Sequence, residues 1–111
     1  MKQIEHEEIK LELEGMLFTW DDEKEKINFR KHGIHFSIAA GVFTDIDAVI
    51  ESNSTDEFTG EERMSIIGML SRVTMFVVYV ERVTVDNNDI IRIISARRAE
   101  RDEKRRYVYG T

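Results

Sequence analysis

Four arginines and a lysine fall near the ends of the segments this chain is expected to form: Arg63, Arg82, Arg92, Arg97 and Lys31. Two carboxylates, Glu61 and Glu62, adjoin Arg63. These residue types suit metal-free phosphodiester chemistry. In RNA the 2′-hydroxyl can attack the neighbouring phosphate. The reaction needs a base for the hydroxyl proton, an acid for the leaving oxygen and cations around the charged transition state. Glu62 or Lys31 fits the base, and the arginines fit the stabilisers, because a planar guanidinium matches a phosphate bidentately. A plainer reading stands beside this one. Glu61, Glu62 and Arg63 also read as a surface charge cluster of little energetic weight. Lys31 also reads as a cation favoured at a helix C-terminus.

Other chemistries have less support. The absence of cysteine excludes disulfides and thiolate metal sites. His32 and His35 stand three apart, with no HExxH pattern, and His6 lies in the N-terminal segment. No nucleophile elbow and no glycine-rich phosphate loop are present. The expectation is therefore no metal and no cofactor.

The elements that would carry these residues can be read in order. Asp21-Asp22-Glu23 is a helix start, with a capping acid and acids facing the dipole. Gly33 is a natural stop, with Lys31 and His32 in the last turn. Ile34–Phe43 reads as a second helix, with Phe36, Ala39, Ala40 and Phe43 at helical spacing. Strands follow at Asp47–Glu51, Arg63–Leu70, Val73–Arg82 and Ile90–Ser95. Asn53–Gly60, Ser71-Arg72 and Asp86–Asp89 are the turns between them, and such short links imply antiparallel pairing. After Ser95-Ala96 comes a charged helical segment holding Arg97, Arg98, Arg101, Lys104, Arg105 and Arg106. It reads either as a cationic site delivered by the last strand or as a solvated tail helix. The fold class expected is α+β: two N-terminal helices packed on a four-stranded antiparallel sheet, with a C-terminal helix.

Residues 1–15 stand apart. They read as an extension preceding a single domain at 16–111, with Met16 a possible alternative start. Alternation of Ile9, Leu11 and Leu13 with charged residues also reads as an extra edge strand. Leu17–Trp20 is a short apolar opening.

With 111 residues and 41% hydrophobic content, the chain suits one folded domain. No run is apolar enough to span a membrane, and the N-terminus has no signal-peptide core. A cytoplasmic location follows as the default. The net charge of −6 argues against a polyanionic partner, but its distribution does not. Residues 1–25 carry a net −6, residues 26–88 a net −3 and residues 89–111 a net +3. Such asymmetry permits a local anion site on an acidic protein.

Residues 16–107 closely resemble the BrnT family of bacterial type II toxins, within the RelE/ParE-like group. The resemblance rests on Phe18-Thr19-Trp20-Asp21, Lys24, Asn28 and Lys31-His32-Gly33-Ile34. It continues through Phe36, Ala39, Val42-Phe43, Gly60-Glu61-Glu62-Arg63, Ile67-Gly68, Tyr79 and Glu81-Arg82. It closes on Arg92-Ile93-Ile94-Ser95-Ala96-Arg97-Arg98-Ala99, Glu103 and Arg106-Tyr107. This likeness implies a ribonuclease toxin that arrests growth by cutting RNA. It also implies a BrnA-like ribbon-helix-helix antitoxin that neutralises it, with operator DNA met only through that antitoxin. On this reading Lys31, Glu62, Arg63, Arg82 and Arg97 form the catalytic surface, and Trp20, Arg92 and Arg98 contact substrate. Arg97 is expected to face solvent, so that its loss would leave stability nearly unchanged. The alternatives are an inactive toxin-fold module serving as antitoxin partner or co-repressor, and a structural protein with an electrostatic tail. Residues 1–15 have no counterpart in the family pattern. Glu100 stands where the family commonly has Thr or Ser as a helix cap, and the turn Val83–Asp89 is longer than usual.

Overall fold

The computed structural model describes residues 2–4, 8–84 and 88–110. Its elements are β1 (Lys2–Ile4), β2 (Leu11–Leu13), β3 (Met16–Thr19), α1 (Asp22–His32), α2 (Phe36–Ala39), a 3-10 helix (Ala40–Thr44), β4 (Val49–Thr55), β5 (Glu62–Leu70), β6 (Val73–Thr84), β7 (Asp89–Arg98) and α3 (Arg101–Tyr109). His6 and part of the Val83–Asp89 turn lie outside the described residues. No helix among those described is long and apolar enough to cross a membrane.

The α+β class holds, but the sheet is larger than expected and mixed. Seven strands take the order β2-β3-β7-β6-β5-β4, with β1 paired in parallel to the end of β6. β4 through β7 are the expected antiparallel meander. The correction concerns β3, which pairs in parallel with β7 at Leu17–Ile90, Phe18–Ile91 and Thr19–Arg92. Four residues are too few to show an alternation, and a parallel partner far along the chain leaves no local signal. β2 then folds back antiparallel on β3 as an edge strand, through Glu14-Gly15, both at positive φ.

The helical half also differs from the expectation of two regular helices. α1 has the boundaries read from sequence. Asp21 accepts the Lys24 N–H at 3.0 Å, and Gly33 ends the helix at φ 70°. The second segment forms only one α turn before tightening into the 3-10 helix. The reason lies in packing against the sheet. A Cβ on Gly68 would meet the Val42 Cβ at 2.9 Å and its carbonyl oxygen at 3.1 Å. The 3-10 segment therefore rests directly on the backbone of β5. Gly68→Ala should push that segment off the sheet at a cost of about 1–3 kcal/mol, the range for overpacking. A urea melt of the variant, read against wild type, checks this.

The core lies between this helical layer and one face of the sheet, here the inner face. Phe18, Ile66, Val77, Tyr79, Ile93 and Ala96 meet Ile34, Phe36, Ala39, Ala40 and Val42 there. Phe43 packs edge-on against both Phe18 (5.3 Å) and Tyr79 (4.9 Å). α1 is tied to the edge of β7 beyond the end of β3. There the Asn28 side chain accepts the Ala96 N–H at 3.1 Å and donates to the Ala96 carbonyl at 2.8 Å. Two edge groups that a strand would otherwise satisfy are thus paired by one buried amide.

α3 covers part of the other face. Arg106 donates to Glu51 at 2.8 and 3.2 Å, and the Tyr107 hydroxyl donates to Asp45 at 2.7 Å. Asp45 also accepts the Met69 N–H at 2.7 Å. Desolvation opposes ionisation of Asp45, yet these bonds outweigh it and hold its pKa below the usual value. The same bond to Asp45, with burial adding to it, pushes the Tyr107 hydroxyl up to about 12.

Candidate active site

Register sorts the cationic residues by face, because side chains alternate along a strand and cross-strand partners share a side. Val80 pairs with Arg92, and Arg92 with Thr19. Ser54 pairs with Arg63. Extending the Met64–Tyr79 pair by one residue sets Arg63 beside Val80. Arg63, Val80, Arg92 and Thr19 therefore form one row across four strands, on the outer face. Arg82, two residues beyond Val80, shares that face. At about 4.8 Å between strands, the Arg63 and Arg92 backbones stand roughly 10 Å apart.

A bulge makes this arrangement possible. The β6–β7 register passes from Val78–Ser95 to Tyr79–Ile93, leaving Ile94 unopposed. Without the extra residue Arg92 and Arg97 would point to opposite faces. With it both lie on the outer face. They are still not close. Phe76, the partner of Arg97, stands four residues before Val80, the partner of Arg92, or roughly 13 Å along the strand.

Each arginine has a different setting. The Arg63 guanidinium lies 3.9 Å from Asp56, the loosest of these contacts, and is about two-fifths exposed. Arg82 grips Glu61 through two nitrogens at 3.2 and 3.3 Å. Arg92 is half-buried beside Asp21, whose pKa is lowered first by the Lys24 N–H and last by the charge of Arg92. Arg97 is engaged within the fold. Its fork donates to both oxygens of Glu103 at 2.8 Å each, and its carbon lies 4.5 Å above the Phe76 ring. Glu103, whose side chain is only 7% exposed, also accepts the Glu100 N–H at 2.8 Å. Burial opposes ionisation of Glu103, but the Arg97 fork and this N–H outweigh it and lower its pKa. Glu103 and Glu100 thus close the start of α3 as a capping box, with Glu100 in the place where the family commonly has Thr or Ser. Arg97 does not simply face solvent, as the sequence led one to expect.

The remaining candidates lie elsewhere. Glu62 sits next to Arg63 in β5 and so points to the inner-face side, where it accepts the Ser52 hydroxyl at 3.2 Å. Lys31 lines a groove between α1 and the bulged Ile94-Ser95, together with Lys24 and His32. Trp20 is half-buried and packs edge-on against Phe36 at 6.0 Å. Arg98 is exposed at the end of β7 and shares a groove with Arg72 and Lys104. Of the two carboxylates adjoining Arg63 in sequence, the one held on the arginine face is Glu61, through Arg82, whereas sequence reasoning favoured Glu62. Parity along β5 would have distinguished them, had the strand's first residue been known.

A family model described as the ribonuclease toxin, BrnT, of type II toxin–antitoxin systems matches residues 20–103. No curated protein matches the chain.

Proposed function

This chain belongs to the BrnT family, the ribonuclease toxins of type II toxin–antitoxin systems, and we propose that it cuts RNA without a metal at the Arg63–Arg82–Arg92 end of its sheet. The observation that carries this reading is the placement of three arginines on one face around Val80. Arg63 and Arg92 would hold the scissile phosphate from either side, as donors already placed for charge that develops in the transition state. Glu61, held by Arg82, would take the 2′-hydroxyl proton as that oxygen bonds to phosphorus, and the 5′-oxygen whose bond to phosphorus breaks would take its proton from water. Lys31, Arg97 and Arg98 then lie outside the reacting site, Arg97 through its hold on the last helix and Arg98 at the far end of β7. Release of this activity in the bacterial cytoplasm would arrest growth. A cognate ribbon-helix-helix antitoxin of the BrnA type would neutralise it and connect the pair to operator DNA.

The test is cleavage of single-stranded RNA by the purified chain in the presence of EDTA. Activity should persist at the level seen without chelator. Loss of activity that a divalent metal restores would overturn the metal-free mechanism. Glu61→Gln should slow cleavage by on the order of 10²-fold, within the range of one general base, while Glu62→Gln stays near wild type.

One observation favours a second reading, that of an inactive antitoxin-binding module. Arg82 and Arg97 each spend a guanidinium fork on a carboxylate of this chain. A chain that binds antitoxin at full affinity and cuts no RNA under any condition would establish that reading instead.

A further inference from the structure

Away from the arginine row, three separate elements bring cations to one concavity. Arg72 comes from the β5–β6 turn, Arg98 from the end of β7 and Lys104 from the first turn of α3. Val73 and Thr74 complete the lining. All three cations are exposed. None of them makes an ion pair with a carboxylate of the described residues, although acids are close in sequence. Glu100 and Glu103 are held by Arg97, and Asp102 by Arg106. Like charges gathered without a counter-charge raise the local potential, and an anion relieves it. Two of the three are arginines, whose flat forks suit phosphate oxygens.

We propose that the Arg72–Arg98–Lys104 concavity is a second phosphate-binding site, which holds the backbone of single-stranded RNA beyond the cut. This rests on the reading of the chain as a ribonuclease. Met75, the partner of Arg98, stands five residues before Val80, so Arg98 starts from the inner-face side at the far end of β7, roughly 17 Å along the sheet from the row. An RNA strand that bends round this end of the sheet reaches both, whereas a minimal substrate occupies only the arginine row. The lining favours RNA over an acidic peptide, because Val73 is its one apolar residue and a peptide would find little to bury. Contacts of this kind add affinity without base readout.

The experiment compares wild type with the triple variant Arg72→Gln, Arg98→Gln, Lys104→Gln. It uses a non-cleavable RNA with 2′-O-methyl groups long enough to span both sites, across a salt series. It also uses cleavage of a trinucleotide. The variant should bind the long RNA about tenfold or more weakly. Its salt slope should be shallower by about 2, the value for three lost phosphate contacts on a single strand. Trinucleotide cleavage should be unchanged. Wild-type affinity and slope in the variant would overturn this site while the ribonuclease reading stands. So would a variant that loses only affinity for the antitoxin. A wild-type chain that neither binds nor cuts RNA would overturn both. Because each position is exposed, a thermal melt should match wild type. Should the triple variant fail to fold, Arg98→Gln alone should still weaken long-RNA binding, and an unchanged affinity there overturns the proposal.

Discussion

Arg63→Ala should lower RNA cleavage by on the order of 10²-fold, the effect of removing one preorganised transition-state donor. The melting temperature should hardly move, since the guanidinium is two-fifths exposed and its one ion pair among the described residues, to Asp56, is 3.9 Å long and so worth little. Arg63→Lys should recover only part of the rate, because a point charge cannot reproduce a planar fork. The measurement is single-turnover cleavage paired with a thermal melt. Full activity in Arg63→Ala would move the reaction away from this row. A large drop in melting temperature would make Arg63 structural.

Arg97→Ala should act the other way, on stability before activity. Removing the guanidinium leaves the Glu103 carboxylate, only 7% exposed, without its main partner. An orphaned charge of this kind costs about 2–3 kcal/mol, or on the order of 10 °C in melting temperature for a domain this size. The pH dependence has a definite sign. The Glu103 pKa is lowered in the folded state. Its contribution is therefore fully present above the ordinary carboxylate value and lost as pH falls through the folded value. The raised pKa of Arg97 adds stability that would be lost only at very high pH. The gap between wild type and Arg97→Ala should therefore shrink as pH falls below about 4. Adding Glu103→Gln to Arg97→Ala should recover part of the loss. If cleavage falls in Arg97→Ala while the melt is unchanged, the residue acts in catalysis.

The parts of this fold that local chemistry specifies were legible in the sequence. Asp21 and Gly33 mark both ends of α1 because capping and left-handed geometry need those residue types. The meander β4 to β7 was legible from its apolar runs and turns. β3 was not, since its parallel partner is contributed by the far end of the chain. Residue types at the site were legible, while their grouping was not. Whether Glu61 or Glu62 accompanies the arginines depends on strand parity. Whether Arg92 and Arg97 share a face depends on the bulge at Ile94. The role of Arg97 was hidden for a different reason. The sequence offers both a solvent-facing cation and a partner six residues later, and only the turn into α3 brings Glu103 back beneath it.

The parallel pairing of β3 with β7 also bears on synthesis. Thr19 leaves the ribosome well before Arg92, yet they are neighbours in the sheet. Contacts between residues so distant in sequence form slowly and only once both segments are available. The Asn28–Ala96 bonds, which span 68 residues, impose the same order. The row that joins Arg63 to Arg92 is therefore incomplete on a nascent chain until β7 has emerged. A growing polypeptide would then carry no assembled arginine row past the messenger being read. If RNA is cut at this row, as proposed, cutting ability would arise only after β7 has emerged and paired with β3.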